Sequence, residues 1–292
     1  MIADLKRRLD ALCDEQPFAT TYYLKDLRSG EAADRDGHVV VPSASTRKIA
    51  VLMAALKGVH EGRLSLDDPF TVDAKYQDNT SGTFQHLTPG FTITFRDALI
   101  MMIVVSDNTC TAKVVDIVGL DAVNALSKAV GMVGTTHRHN MPPKDLPYDH
   151  PVELTNATTA TDVGVLLDLI LLGTTDADAA ARLGSTPELC TLALQILLWQ
   201  KLNNRLPLLL PSEARVAHKT GTGSRNYNDA GIIFQGDRPL FILSVYTDNL
   251  PKDMPDGTNG FGAAALHMAR LAKTCYDALQ QPAEALVGAA RA

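Results

Sequence analysis

Ala230-Gly231-Ile232-Ile233-Phe234, Gln235-Gly236-Asp237-Arg238 and Leu240-Phe241-Ile242-Leu243-Ser244-Val245-Tyr246 stand in succession near the carboxy end of the chain. Two apolar runs rich in β-branched and aromatic residues, separated by a polar turn containing glycine, read as a hairpin. At the other end, residues 20–24 are rich in Thr and Tyr and read as a strand, and Arg28-Ser29-Gly30 follows as a turn. A second strand is expected over residues 37–41, ending at Pro42, which has no N–H to offer a ladder. Between these ends the apolar period changes. Ile49, Leu52, Met53 and Leu56 recur at three- and four-residue steps, and similar spacing predicts helices over residues 95–105, 110–118, 121–130, 162–172 and 187–202. A last amphipathic helix is expected over residues 262–279. Short hairpins gain stability by joining one sheet whose faces are covered. The expected fold is therefore of the α/β (α+β) class. An antiparallel sheet from both chain ends is flanked by helices, with residues 1–42 and 214–292 in the sheet domain and an inserted all-helical domain over residues 43–213.

Composition narrows the functions this fold serves. With 46% apolar and 21% charged residues over 292 positions, the chain is an ordinary globular one with ample core. Its net charge of −6 gives a polyanion no general attraction, so nucleic acid is not an expected partner. The apolar run over residues 98–105 is as long as any in the chain and far shorter than the roughly 20 residues that span a bilayer, so no membrane association is expected. Ile2, Leu5, Leu9 and Leu12 lie at helical spacing between charges, where a signal peptide needs an unbroken apolar stretch. A surface helix and a cytoplasmic location are expected. Cys13, Cys110, Cys190 and Cys275 form no C-x-x-C pattern and read as free buried thiols. Trp199 reads as core. A monomer or weak oligomer without a cofactor is expected.

Three short motifs carry chemistry. Ser45-Thr46-Arg47-Lys48 has the form S-x-x-K at a helix start, which puts a hydroxyl and an amine on one face. With 11 Ser and 12 Lys in the chain, about 0.45 such matches arise by chance, so this one alone decides nothing. Ser106-Asp107-Asn108 directly after an apolar run, and Lys219-Thr220-Gly221 just before the last strands, are each much rarer. All three in this order form a set.

With that set the chain resembles the class A serine beta-lactamases and their penicillin-binding relatives. The separation of Ser45 from Ser106, the fragment Leu87-Thr88-Pro89-Gly90 before an apolar helix, Thr158-Thr159-Ala160 opening another, and Lys219-Thr220-Gly221-Thr222-Gly223 extend the resemblance over nearly the whole chain. It implies the same architecture as the strand and helix reading. It also implies that Ser45 is a nucleophile forming an acyl-enzyme and that Lys48 accepts its proton. Asn108 would orient Lys48, and Ser106 would pass a proton to the departing nitrogen. Lys219 would keep the site positive, and Thr220 and Thr222 would hold a substrate carboxylate. The backbone N–H groups of Ser45 and Thr222 would form an oxyanion hole, with Gly221 between the two threonines. The implied partner is a small molecule bearing a carboxylate, with no metal.

The pattern departs from the family at two points. The E-x-x-L-N glutamate that activates the deacylating water should fall near Met141-Pro142-Pro143-Lys144-Asp145-Leu146-Pro147, where no glutamate stands. Asp145 is the nearest carboxylate, and Glu153 lies too close to Thr158-Thr159; both read as surface carboxylates in a loop. The family's usual disulfide has no counterpart either. His137, His139 and His150 in the polar loop read as solvated, His218 as lying behind Lys219, and Arg225 as either a carboxylate ligand or a solvated turn residue. Besides a beta-lactamase-like hydrolase, two alternatives stand: an acyltransferase or esterase of small-molecule metabolism, and a catalytically silent binding or sensor module.

Overall fold

The computed structural model describes residues 1–79, 81–141 and 143–280. Pro142, and the last residues assigned by sequence to the sheet domain, 281–292, lie outside the described residues. The strands are β1 (Ala19–Asp26), β2 (Ala32–Arg35), β3 (Val41–Pro42), β4 (Pro69–Thr71), β5 (Thr92–Thr94), β6 (Ala157–Thr158), β7 (Ala214–Thr222), β8 (Tyr227–Gln235) and β9 (Arg238–Asp248). The helices are α1 (Ile2–Asp14), α2 (Lys48–His60), α3 (Phe95–Val104), α4 (Asn108–Val118), α5 (Leu120–Ala129), α6 (Ala160–Gly173), α7 (Ala177–Arg182), α8 (Pro187–Leu198) and α9 (Gly260–Leu279). The main sheet has the order β2-β1-β9-β8-β7 and is antiparallel throughout, so the two chain ends meet where β1 pairs with β9. Strand β7 forms one open edge.

Alternation sends Tyr22, Leu24, Ile233, Phe241, Leu243 and Val245 to one face, under α1 and α9. The opposite face contributes Ala230, Ile232, Phe234 and Ile242 to a second core that continues into the helical middle of the chain. At the centre of that core, ten of the 13 residues of α2 are buried, which is why the helix is apolar nearly all round. Its first residue, Lys48, is drawn into the interior with it. Helices α3, α4 and α6 start on side-chain caps: Thr94 accepts from Asp97 N, Asp107 from Cys110 N, and Thr159 from Asp162 N.

Several expectations are corrected. The strand expected over residues 37–41 is instead Ala32–Arg35, because Asp34 accepts the N–H of Gly37 and Asp36 adopts a left-handed φ of 50°, which turns the chain out of the sheet. Val39 and Val40 are exposed, while Val41–Pro42 pairs with Ala157–Thr158. The helix expected to reach residue 202 stops at Leu198. There the Gln200 side chain accepts from the N–H groups of Lys201 and Leu202 and donates to Ile103 O. Trp199 therefore sits at a helix end, 36% exposed, not in the core. Strands β4 and β5 and the short α7 carry too few periodic residues to be read from sequence. All four cysteines are buried and free.

Strand β7 lies close against β8 at His218↔Gly231, where a Cβ on Gly231 would lie 2.5 Å from His218 Cβ and 2.8 Å from Ala217 O. Gly231→Ala is expected to lower stability by about 1–3 kcal/mol through this overlap, against the entropic gain that alanine normally brings in a strand. Urea unfolding measures it; an unchanged or raised midpoint contradicts the close approach.

Candidate active site

Ser45 lies in a 3-10 turn, Ala44–Arg47, that leads into α2. Ala44 before it holds a left-handed φ of 45°, a strained conformation that persists only where its surroundings fix it. Here the sheet does so. Asn226 and Asn228 both donate to Pro42 O, Tyr246 donates its hydroxyl to Thr46 Oγ1 at 2.9 Å, and Thr46 in turn donates to Ser43 O at 2.7 Å. A Cβ on Gly221 would meet Ser43 O at 3.0 Å and Thr46 Cγ2 at 3.1 Å, so only glycine lets the edge strand lie this close to the serine turn.

Lys48, one turn along, is 1% exposed. Its Nζ lies 2.8 Å from Ser106 O, 3.0 Å from Ser106 Oγ and 2.8 Å from Asn108 Oδ1. These partners come from the junction of α3 and α4. Ser106 takes a left-handed φ of 58°, and Asp107 is spent structurally, capping α4 and accepting Phe84 N at 2.8 Å. Burial, then Lys219, then Arg47 hold the Lys48 ammonium well below the ordinary lysine value. A neutral amine fits the three partners: two hydrogens go to the carbonyl oxygens of Ser106 and Asn108, and the lone pair faces a hydroxyl.

Lys219 is fully buried and drawn down to about 7, first by burial and then by Arg205. Its Nζ donates to Thr220 O at 2.9 Å. Arg205 lies over the Tyr227 ring and donates to Gly221 O, to Asn228 O and, at 2.6 Å, to Thr222 Oγ1. Sequence reasoning missed Arg205. It sits in an irregular stretch with no period and no motif, and only its lone charge beside Leu206 and Pro207 marks it.

These groups surround a cleft of about 700 Å3. Ser45, Lys48, Ser106, Asn108, Thr220 and Thr222 all line it, whereas Lys219 and Gly221 form its backing. The loop running from Thr136, which bridges to Ala157, covers one side and contributes Asp145, His150 and Asn156. Asp145 is exposed, and Glu153 is exposed and away from the cleft wall. His137 and His150, expected to be solvated, are buried: the loop folds back on itself, with Asn156 Oδ1 accepting from the N–H groups of Arg138 and His139. Burial, then Arg47, lower His137 to about 3 and keep it neutral. Among the described residues no group of three or more His, Cys, Asp or Glu could hold a metal ion, and no helix is long and apolar enough to cross a membrane. His218 points away from the cleft, its Nδ1 2.9 Å from Asp229 Oδ1. Arg225 is paired with Asp248 rather than solvated.

The chain is 24% identical over 303 residues to a beta-lactamase of Bacteroides uniformis, covering 96% of this chain and 92% of that protein. Its fold matches a beta-lactamase from Sphaerobacter thermophilus with a TM-score of 0.80 at 24% identity, over 94% of this chain and 97% of the other. It matches PBP-A with a TM-score of 0.79 at 25% identity, over 94% and 95% of the two chains. A mutant of PBP-A at the same TM-score of 0.79 and identity of 25%, covering 94% of this chain and 96% of that one, is in the form of an acyl-enzyme complex with penicillin G. Residues 4–279 match the beta-lactamase enzyme family as a whole, and the chain is a member of that family.

Proposed function

We propose that the protein is a serine hydrolase that opens beta-lactams, or a related amide or ester bearing a carboxylate, through an acyl-enzyme on Ser45. The observation that carries this reading is a buried lysine, Lys48, held by Ser106 and Asn108 and lining the same cleft as Ser45. A hydroxyl is a poor nucleophile until a base takes its proton. Lys48 accepts that proton as Ser45 Oγ bonds to the acyl carbon, and the resulting ammonium then directs its three hydrogens at its three oxygen partners. Ser106 relays a proton from Lys48 to the leaving nitrogen as the C–N bond breaks. The backbone N–H groups of Ser45 and Thr222 receive the developing oxyanion, where loss of one donor costs about 3 kcal/mol. Thr222 Oγ1 accepts from Arg205, so its own proton is free for a substrate carboxylate beside Thr220. Lys219 and Arg205 behind them supply positive charge.

The acyl-enzyme leaves by a separate step. The one carboxylate among the described cleft residues is the exposed Asp145, which favours slow hydrolysis or transfer of the acyl group to another acceptor.

Intact-mass analysis after mixing with a penicillin or a chromogenic cephalosporin should show the added acyl mass, and Ser45→Ala should lower the acylation rate by at least about 1,000-fold. An adduct that survives Ser45→Ala removes this serine from the mechanism. Since Lys48 works as a base only when deprotonated, acylation should rise with pH through its ionisation. Lys219→Met removes a neighbouring cation, raises that ionisation, and should shift the acid limb of the rate–pH profile to higher pH; a shift to lower pH contradicts the assignment. Hydroxylamine should speed acyl release where transfer outruns hydrolysis, and an unchanged release rate points to hydrolysis alone.

A further inference from the structure

Phe261, the second residue of α9, keeps 37% of its surface exposed and borders the cleft. Its backbone is fixed. Asn259 Oδ1 accepts the Phe261 N–H at 2.9 Å, and a Cβ on the intervening Gly260 would lie 1.8 Å from Pro251 O, so the start of the helix is pressed against that residue. The ring leans on Tyr227, with centroids 5.2 Å apart and planes at 32°, and Arg205 Cζ lies 3.4 Å from the centroid of Tyr227. Arg205 donates to Thr222 Oγ1, so a chain of contacts runs from Phe261 to a threonine that meets the substrate carboxylate in the hydrolase reading. Beside the ring is a second hollow of about 240 Å3, with apolar walls from Tyr148, Leu250, Pro251 and Phe261 itself. Ser224 and Phe261 border both this hollow and the cleft. Tyr148 donates to Leu250 O at 2.6 Å, which ties the covering loop to one wall and holds the hollow in shape. Lone exposed apolar side chains are ordinary on a protein surface, but one that borders two adjoining hollows next to a carboxylate-binding group is placed to receive part of a ligand.

We infer that Phe261 and the hollow beside it form an apolar subsite for the leaving-group side of the substrate, so that the cleft favours molecules with an aromatic substituent close to the carboxylate. This rests on the hydrolase reading, which puts that carboxylate at Thr220 and Thr222. In a cephalosporin the ring carbon bearing the carboxylate is bonded directly to the carbon bearing the C3 substituent, so a group there extends from the two threonines toward Phe261. An aromatic group laid on the exposed ring removes apolar surface of both partners from water, and tilted or offset ring pairs gain further from their opposed edge and face charges. A ring that only propped Tyr227 and Arg205 would instead affect every substrate carboxylate alike.

Nitrocefin and cephalothin share the same thienylacetyl side chain and differ at C3, where nitrocefin carries a dinitrostyryl group and cephalothin an acetoxymethyl group. Calorimetric binding to the Ser45→Ala protein, in which no acyl-enzyme forms, should favour nitrocefin by at least about tenfold. Phe261→Ala in the same background should weaken nitrocefin far more than cephalothin and bring the preference down to about twofold or less, while Phe261→Tyr, which keeps the aromatic face, should retain most of it. Equal affinities for the two cephalosporins overturn the inference without any Phe261 variant. A preference that survives Phe261→Ala, including one that survives because both ligands weaken by the same factor, overturns it as well, since that is the mark of a ring that only supports Arg205. In each of these cases binding itself leaves the hydrolase reading standing; absence of binding by both cephalosporins overturns that reading together with the inference, so the two failures are told apart.

Discussion

A buried lysine amine with no carboxylate among its hydrogen-bond partners is the constraint around which this molecule is arranged. Lys48 opens a helix that is apolar nearly all round, so the packing that stabilises the helical core also strips water from its ammonium. Desolvation disfavours the charged form, and Lys219 and Arg47 push in the same direction. The fold offsets this not with an acid but with neutral oxygens, from Ser106 and Asn108, that suit either protonation state. A carboxylate in their place would hold the amine charged and useless as a base.

Rigidity around that amine comes from the meeting of two separately built parts. The serine turn belongs to the helical stretch, but its shape is fixed by Asn226, Asn228 and Tyr246 of the sheet. The edge strand approaches because Gly221 has no Cβ to hold it off. An open sheet edge is ordinarily a hazard for unwanted pairing; here it borders the cleft, with Thr220 and Thr222 facing it. Strain at Ala44 and Ser106 is concentrated where the side chains must be aimed.

Much of this was legible in the sequence. The terminal hairpin and the Thr- and Tyr-rich strand were readable because alternation over several residues is a strong signal, and they do join one antiparallel sheet of a beta-lactamase-like fold. The three motifs were readable because each fixes residue types at set spacing. What escaped was whatever depends on contacts distant in sequence. Val39 and Val40 look like strand residues, but a turn at Asp36 overrides their propensity. His137 and His150 sit in polar sequence, yet the loop buries them by folding back on Asn156. Arg205 carries no pattern at all, since an isolated arginine looks the same in sequence whether it is solvated or buried behind an edge strand.

Lysine side chains carrying 13C at Cε report directly on the central claim, because their chemical shift follows the charge on Nζ. Titrated by NMR against a Lys48→Met reference that identifies the resonance, Lys48 should lose its proton well below the ordinary lysine value of about 10.4. A Lys48 resonance that titrates at or above that value would mean that the amine is charged at neutral pH and cannot take the Ser45 proton.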